Sequence, residues 1–182
     1  MATDSVIDVA RRALLERFKW SSGHADVWRV FNDGPSLAAV VDGLVEPWRS
    51  SGITAVTGIE ARGFLLGGAV AAKLGVGFHA VRKTDGMLPG PKRSIRTEPD
   101  YRGLTYTLRM QAVLKPDERV LLVDDWAERG SQALGVCSLV EQSGATFAGV
   151  SVMVDQLDDA TRSRLARVTA LVTASELGDS AL

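Results

Sequence analysis

The chain is 182 residues long, 46% apolar and 24% charged, which describes one globular domain with a core of ordinary size. Its 21 basic and 22 acidic residues leave a formal charge of −1, so no global field draws it to nucleic acid or to an anionic membrane, and any affinity for phosphate has to come from local geometry. The longest weakly polar stretch, residues 67–78, is broken by Lys73, no signal-peptide core precedes Arg11 and Arg12, and Cys137 stands alone without a disulfide partner, so a cytoplasmic protein binding neither membrane nor nucleic acid is expected.

Asp4 or Ser5 caps a first helix running to about Phe18, with Val6, Val9, Ala10, Ala13 and Leu14 on one face. Ser21-Ser22-Gly23-His24 reads as a loop, and Asp33-Gly34-Pro35 turns the chain into a helix from Ser36 to about Trp48. A βαβ unit follows, with residues 53–59 as strand, 61–74 as helix and 78–82 as strand. That spacing implies parallel pairing through a right-handed crossover. Residues 84–103 are rich in Gly, Pro and charge, the composition of either a mobile lid or a disordered tether. Residues 104–110 alternate as a strand. Further strands are expected at 146–154 and 170–172, with a charged helix over 158–166 between them.

The most informative segment is 120–133. Val120, Leu121, Leu122 and Val123 form an unbroken apolar run, the pattern of a strand buried on both faces of a parallel sheet. Asp124 and Asp125 then fall at its carboxyl end, the edge at which open α/β sheets bind ligands. Gly130 and Ser131 permit a tight turn into a helix over 133–142, whose first N–H groups and positive dipole end point back at that turn. Such a terminus suits a phosphate monoester, while paired carboxylates accept hydrogen bonds from a diol and repel bare phosphate. A ligand carrying both hydroxyls and phosphate, such as ribose 5-phosphate, meets both demands.

This segment resembles the PRPP-binding motif of type I phosphoribosyltransferases. Gly58-Ile59-Glu60-Ala61-Arg62-Gly63-Phe64, Val81-Arg82-Lys83, Leu88-Pro89-Gly90 and Lys115-Pro116 resemble the adenine branch in order and spacing, over about residues 53–155. The resemblance implies a Rossmann-like α/β type I phosphoribosyltransferase fold in a single domain: a central mainly parallel sheet with flanking helices, a small N-terminal hood over about 19–35 and a flexible lid over about 84–103. It implies Mg2+-dependent transfer of the 5-phosphoribosyl group between PRPP and a purine base, adenine first. Pyrophosphate and a nucleoside monophosphate are the products, and a homodimer is the expected assembly. Mg2+ is held mainly by substrate oxygens and water, with Asp124 and Asp125 as indirect contacts through water or ribose.

By the same resemblance, Asp124 and Asp125 take the ribose hydroxyls, and Glu128, Arg129, Gly130, Ser131 and Gln132 take the 5-phosphate. In the family the usual sequence of that turn is Ala-Thr-Gly-Gly-Thr, so Arg129 and Gln132 replace two threonine donors here. An arginine fork and an amide can both serve phosphate oxygens. Ala61 and Arg62, in a turn that the family holds in a strained peptide conformation, take pyrophosphate together with Arg82 and Lys83; the plain alternative for each pair is a solvated surface charge. Met87 stands where a family lysine precedes Leu-Pro-Gly, and Lys92 or Arg93 could substitute for it. Asp100, in a match to the family's Glu-Tyr-Gly, is a candidate for proton transfer with Arg82 as the second catalytic candidate, or else an exposed loop carboxylate. Val30, Phe31 and Trp126 are the candidates for contact with the base, with core packing as the other reading of Trp126. His24 reads as structural. Two other functions remain open at the level of sequence: a non-catalytic PRPP or nucleotide sensor of the same fold, and a phosphoribosyltransferase of specialised metabolism with an unusual acceptor.

Overall fold

A computed structural model describes residues 4–83, 87–99 and 103–178. Helix α1, Val6–Arg17, begins in a capping box, with Ser5 Oγ accepting from Asp8 N at 3.1 Å and Asp8 Oδ2 accepting from Ser5 N at 3.3 Å. Strands β1, Lys19–Ser21, and β2, His24–Asp26, form a small hairpin where the sequence reads as a loop. Ser22 and Gly23 turn it at φ 50° and 74°, the left-handed pair that matches strand twist. One turn of helix, α2 at Trp28–Phe31, leads to α3 at Gly34–Val45, capped by Asp33.

The main sheet has seven strands: β3 Ala55–Ile59, β4 Gly77–Lys83, β5 Lys92–Arg96, β6 Thr107–Gln111, β7 Arg119–Ala127, β8 Thr146–Asp155 and β9 Val168–Thr173. Their order is β5-β6-β4-β3-β7-β8-β9, parallel from β4 to β9 and antiparallel through β6 and β5. Helix α4, Arg62–Leu74, joins β3 to β4, and α5, Ser131–Glu141, joins β7 to β8. Helices α1, α3 and α4 cover one face over Leu14, Leu44, Leu66, Leu121 and Met153, whereas α5 covers the other over Leu122, Val136, Leu139 and Val150. Sequence neighbours Leu121 and Leu122 thus enter opposite cores, which is why β7 reads as a continuous apolar run. Helix α1 docks closely because Gly43 leaves room: a methyl there would lie 2.4 Å from Ala10 Cβ.

The segment expected as a lid is partly regular. Strand β5 pairs residue by residue with β6 from Lys92↔Gln111 to Arg96↔Thr107, and its pattern of charges suits a sheet edge, where cations discourage further pairing. Helix α6 is shorter than its charge pattern implies, Asp159–Ser163.

Because β3 leads outward to β4 on one side and β7 to β8 on the other, a topological switch point lies between β3 and β7. Pairing of β3 with β7 stops at Thr57↔Leu122, but β7 stays paired with β8 as far as Ala127↔Asp155. The last residues of β7 therefore project past their neighbour on one side, and a cavity opens there.

Candidate active site

The turn from β3 into α4 is built on glycine. A methyl at Gly58 would sit 2.1 Å from the Gly63 carbonyl oxygen, and one at Gly63 would sit 3.0 Å from Asp124 Oδ1. The two bare positions let the start of α4 press against both its own strand and the acidic end of β7. The Glu60–Ala61 peptide bond is cis. Replacing Gly58 by Ala drives a side chain into main chain that cannot yield, so we expect a loss of about 2 to 4 kcal/mol in urea-melt stability.

Asp125 is 4% exposed, and Asp124 is part-buried beside it. Asp124 Oδ1 accepts from the Asp125 backbone N–H at 2.9 Å. Burial first, then the neighbouring Asp125 charge, holds the Asp124 carboxyl well above the ordinary carboxylate range; Lys83 opposes the shift weakly. Arg62 Nε lies 3.0 Å from Asp125 Oδ2 but off the axis of a hydrogen bond, so that buried oxygen has no aligned donor. An acid pair held this way gains from a ligand that brings hydroxyl donors or a cation.

Beyond the acids, Gly130 sits at φ 71° as the residue before α5. No side chain caps that helix, and its ladder begins with Leu134 N donating to Gly130 O at 2.8 Å, which directs the earlier N–H groups of the first turn into the bend. Glu128, Arg129, Gly130, Ser131 and Gln132 all line a cavity of about 700 Å³, together with Ala61, Arg62, Lys83, Asp124, Asp125 and Trp126. Arg129 is exposed and lies near the start of α6. Asp158 caps that helix through Thr161 N at 2.6 Å, and this contact first, with Arg129 as a lesser contribution, holds the Asp158 carboxyl below its ordinary range.

Other expected residues are placed differently. Arg82 does not line the cavity: Nε donates to Glu60 Oε2 at 2.8 Å and Nη1 to Met87 O at 3.2 Å, while Glu60 Oε1 accepts from Lys83 N at 2.6 Å. Lys83 is the cation of that pair that faces the cavity, 5.3 Å above the Tyr106 ring. Lys92 and Arg93 lie exposed on β5, where Lys92 Nζ donates to Gly90 O at 3.0 Å, and neither lines the cavity. Asp100 lies outside the described residues. Val30 and Phe31 are buried, at 0% and 8% exposure, among the residues beneath α3, because the single turn of α2 points them into the core. The hood wall is instead made by the hairpin residues Trp20, Gly23, His24 and Ala25. Trp20 meets Phe18 at 5.3 Å and Trp126 at 6.1 Å between ring centroids, an aromatic chain from α1 to β7. Tyr106 and Gln156 complete the cavity. Sequence reasoning missed these, although the Ser-Gly pair between Trp20 and His24 is a hairpin signal.

No family model matches the chain. It is 36% identical over 157 residues to the adenine phosphoribosyltransferase of Frankia alni, covering 85% of this chain and 82% of that protein. The chain belongs to the adenine phosphoribosyltransferase family. The adenine phosphoribosyltransferase of Rhodothermus marinus superposes with a TM-score of 0.80 at 29% identity, covering 90% of this chain and 98% of that one. The Saccharomyces cerevisiae enzyme, complexed with an imino-altritol bisphosphate and adenine, superposes at 0.77 with 28% identity, covering 89% and 98%.

An adenine phosphoribosyltransferase is an enzyme of phosphoribosyl transfer, and its family implies a magnesium ion. Among the described residues no group of three or more His, Cys, Asp and Glu side chains could hold a metal. The acid pair with its undonated Asp125 Oδ2 does fit a cation that draws its other ligands from substrate and water. No helix of the described residues is long and apolar enough to cross a membrane.

Proposed function

We propose that this phosphoribosyltransferase converts adenine and PRPP to AMP and pyrophosphate, with Mg2+, as a cytoplasmic homodimer in purine salvage. The observation that carries the reading is the junction of two unlike sites on β7: an acid pair and, five residues on from Asp125, a glycine bend opening α5. Asp124 and Asp125 accept from the ribose hydroxyls. The N–H groups of residues 131–133, with Arg129 and Gln132, donate to the 5-phosphate, and Glu128 lies at the rim of that bend. Ala61 N–H, Arg62 and Lys83 face the pyrophosphate, while Arg82 braces Glu60 and so holds the turn that carries Ala61. Asp124 and Asp125 would hold Mg2+ through water or ribose, where the ion would supply charge neutralisation for the departing pyrophosphate.

The attacking ring nitrogen of adenine gives its electron pair to C1 as the C1–O bond breaks and that pair leaves with pyrophosphate. The nitrogen's proton is lost to a base, for which Asp100 remains the candidate. Walls formed by Trp20, Trp126 and Tyr106 keep water from C1 during the step. Incubating the protein with PRPP, Mg2+ and a panel of purines and pyrimidines, and following pyrophosphate, is the test. Release is expected with adenine above other bases. PRPP binding without release on any base would establish a sensor instead, and release with a non-purine alone would establish an unusual acceptor. Sedimentation of the same sample tests the dimer.

A further inference from the structure

Gln156 follows the last residue of β8 and is fixed at two points. Its backbone N–H donates to Ala127 O at 2.8 Å, and its Oε1 accepts the indole N–H of Trp126 at 3.0 Å. An indole nitrogen only donates, so the amide oxygen must face it and the amide NH2 is turned elsewhere. The loop beyond is braced as well, because Asp155 accepts from Leu157 N at 2.9 Å and pairs with Arg162. Gln156 and Trp126 share the cavity with Trp20, whose ring is inclined at 63° to that of Trp126. Gln156 is exposed at the rim, so this part of the cavity offers two indole rings and an amide whose NH2 is not taken up by Trp126. A planar heteroaromatic ring fits that chemistry, whereas the neighbouring acids and glycine bend fit a phosphorylated sugar.

We propose that Gln156 is a specificity-determining residue for the acceptor base: locked by Trp126, it donates from Nε2 to an in-plane acceptor of the ring, a bare ring nitrogen or a carbonyl oxygen. The inference rests on the cavity being the site of phosphoribosyl transfer to a purine. A base that presents only N–H groups towards Gln156 leaves donors facing donors and is rejected. Gln156 thereby ranks bases by the edge they can turn to it, independently of how PRPP is held.

The test compares wild type with Q156L, Q156E and W126F. The readouts are KM for base and for PRPP, quenching of indole fluorescence by adenine or hypoxanthine in the presence of PRPP and Mg2+, and thermal melts. Q156L removes the donor, and Q156E keeps an acceptor for Trp126 while turning an acceptor towards the base. Base KM and Kd are expected to rise about tenfold in Q156L and further in Q156E, with PRPP KM and melting temperature unchanged. W126F releases the amide to rotate, so it narrows the ratio between bases. Base affinity unchanged in both Gln156 variants, or base and PRPP constants rising together, overturns the inference. If wild type binds base but releases no pyrophosphate, the reading of the reaction fails while base Kd still decides the role of Gln156; a wild type that binds no purine overturns both.

Discussion

Changing Asp124 and Asp125 together to asparagine is expected to abolish PRPP binding in calorimetry and to cut pyrophosphate release about a thousandfold. If the pair holds ribose or a hydrated cation as proposed, each replacement removes a charged hydrogen-bond acceptor, and two such losses of about 2 kcal/mol each reach that factor. Asparagine keeps the shape of the site, so the fold survives and the loss is one of function. Stability should move the other way. The Asp124 carboxyl is held above its ordinary 3.8 in the folded chain, chiefly by burial, so the folded protein keeps a proton that the unfolded chain has already released. Stability therefore falls as pH rises from about 4 through the raised value and levels off above it. D124N alone should flatten that slope in melts run across pH without ligand. An unchanged slope in D124N, or full PRPP affinity in the double variant, would remove the acid pair from its assigned place.

The second large effect is expected from G130A. The residue sits at φ 71°, where a side chain is strained by about 1 kcal/mol, and a methyl there would meet Thr161 Cγ2 at 2.5 Å and Leu157 Cδ2 at 2.8 Å. Relief comes from Thr161 and Leu157 turning aside or from the bend opening, and an opened bend would draw the first turn of α5 away from the phosphate proposed to bind there. A rise of at least about tenfold in PRPP KM is expected, together with a loss of about 2 to 3 kcal/mol in stability. Adding T161S deletes one of the two methyl contacts, so the pair should recover part of both losses. Independent, additive effects of the two substitutions would show that crowding against α6 is not the cause.

What could be read before folding was local and strongly patterned. Strand β7 was legible because four apolar residues end abruptly in two acids and a glycine bend, and the β3-α4-β4 unit because its periods change from strand to helix between glycines. Strand β5 was hidden by charge, since an edge strand needs little hydrophobic pattern to pair on one side. The hairpin of β1 and β2 was hidden by brevity: three residues a side carry almost no period. Val30 and Phe31 were misplaced for a different reason. Their apolar character marks burial, but only the packing of α2 against α3 decides that they enter the core while Trp20 reaches the cavity. The same holds for Arg82, whose charge was evident but whose partner, Glu60, becomes adjacent only when β3 and β4 align.

Trp20 is suspended from the Gly178 carbonyl by a 3.1 Å hydrogen bond, and Arg11 on α1 grips Glu176 in the turn just before it. The Trp20 wall of the cavity is thus anchored to a strap that lines no part of the cavity itself. Loosening that strap, by a cut or a modification there, would tilt the indole and alter base recognition from a distance while every group that handles the sugar stayed in register.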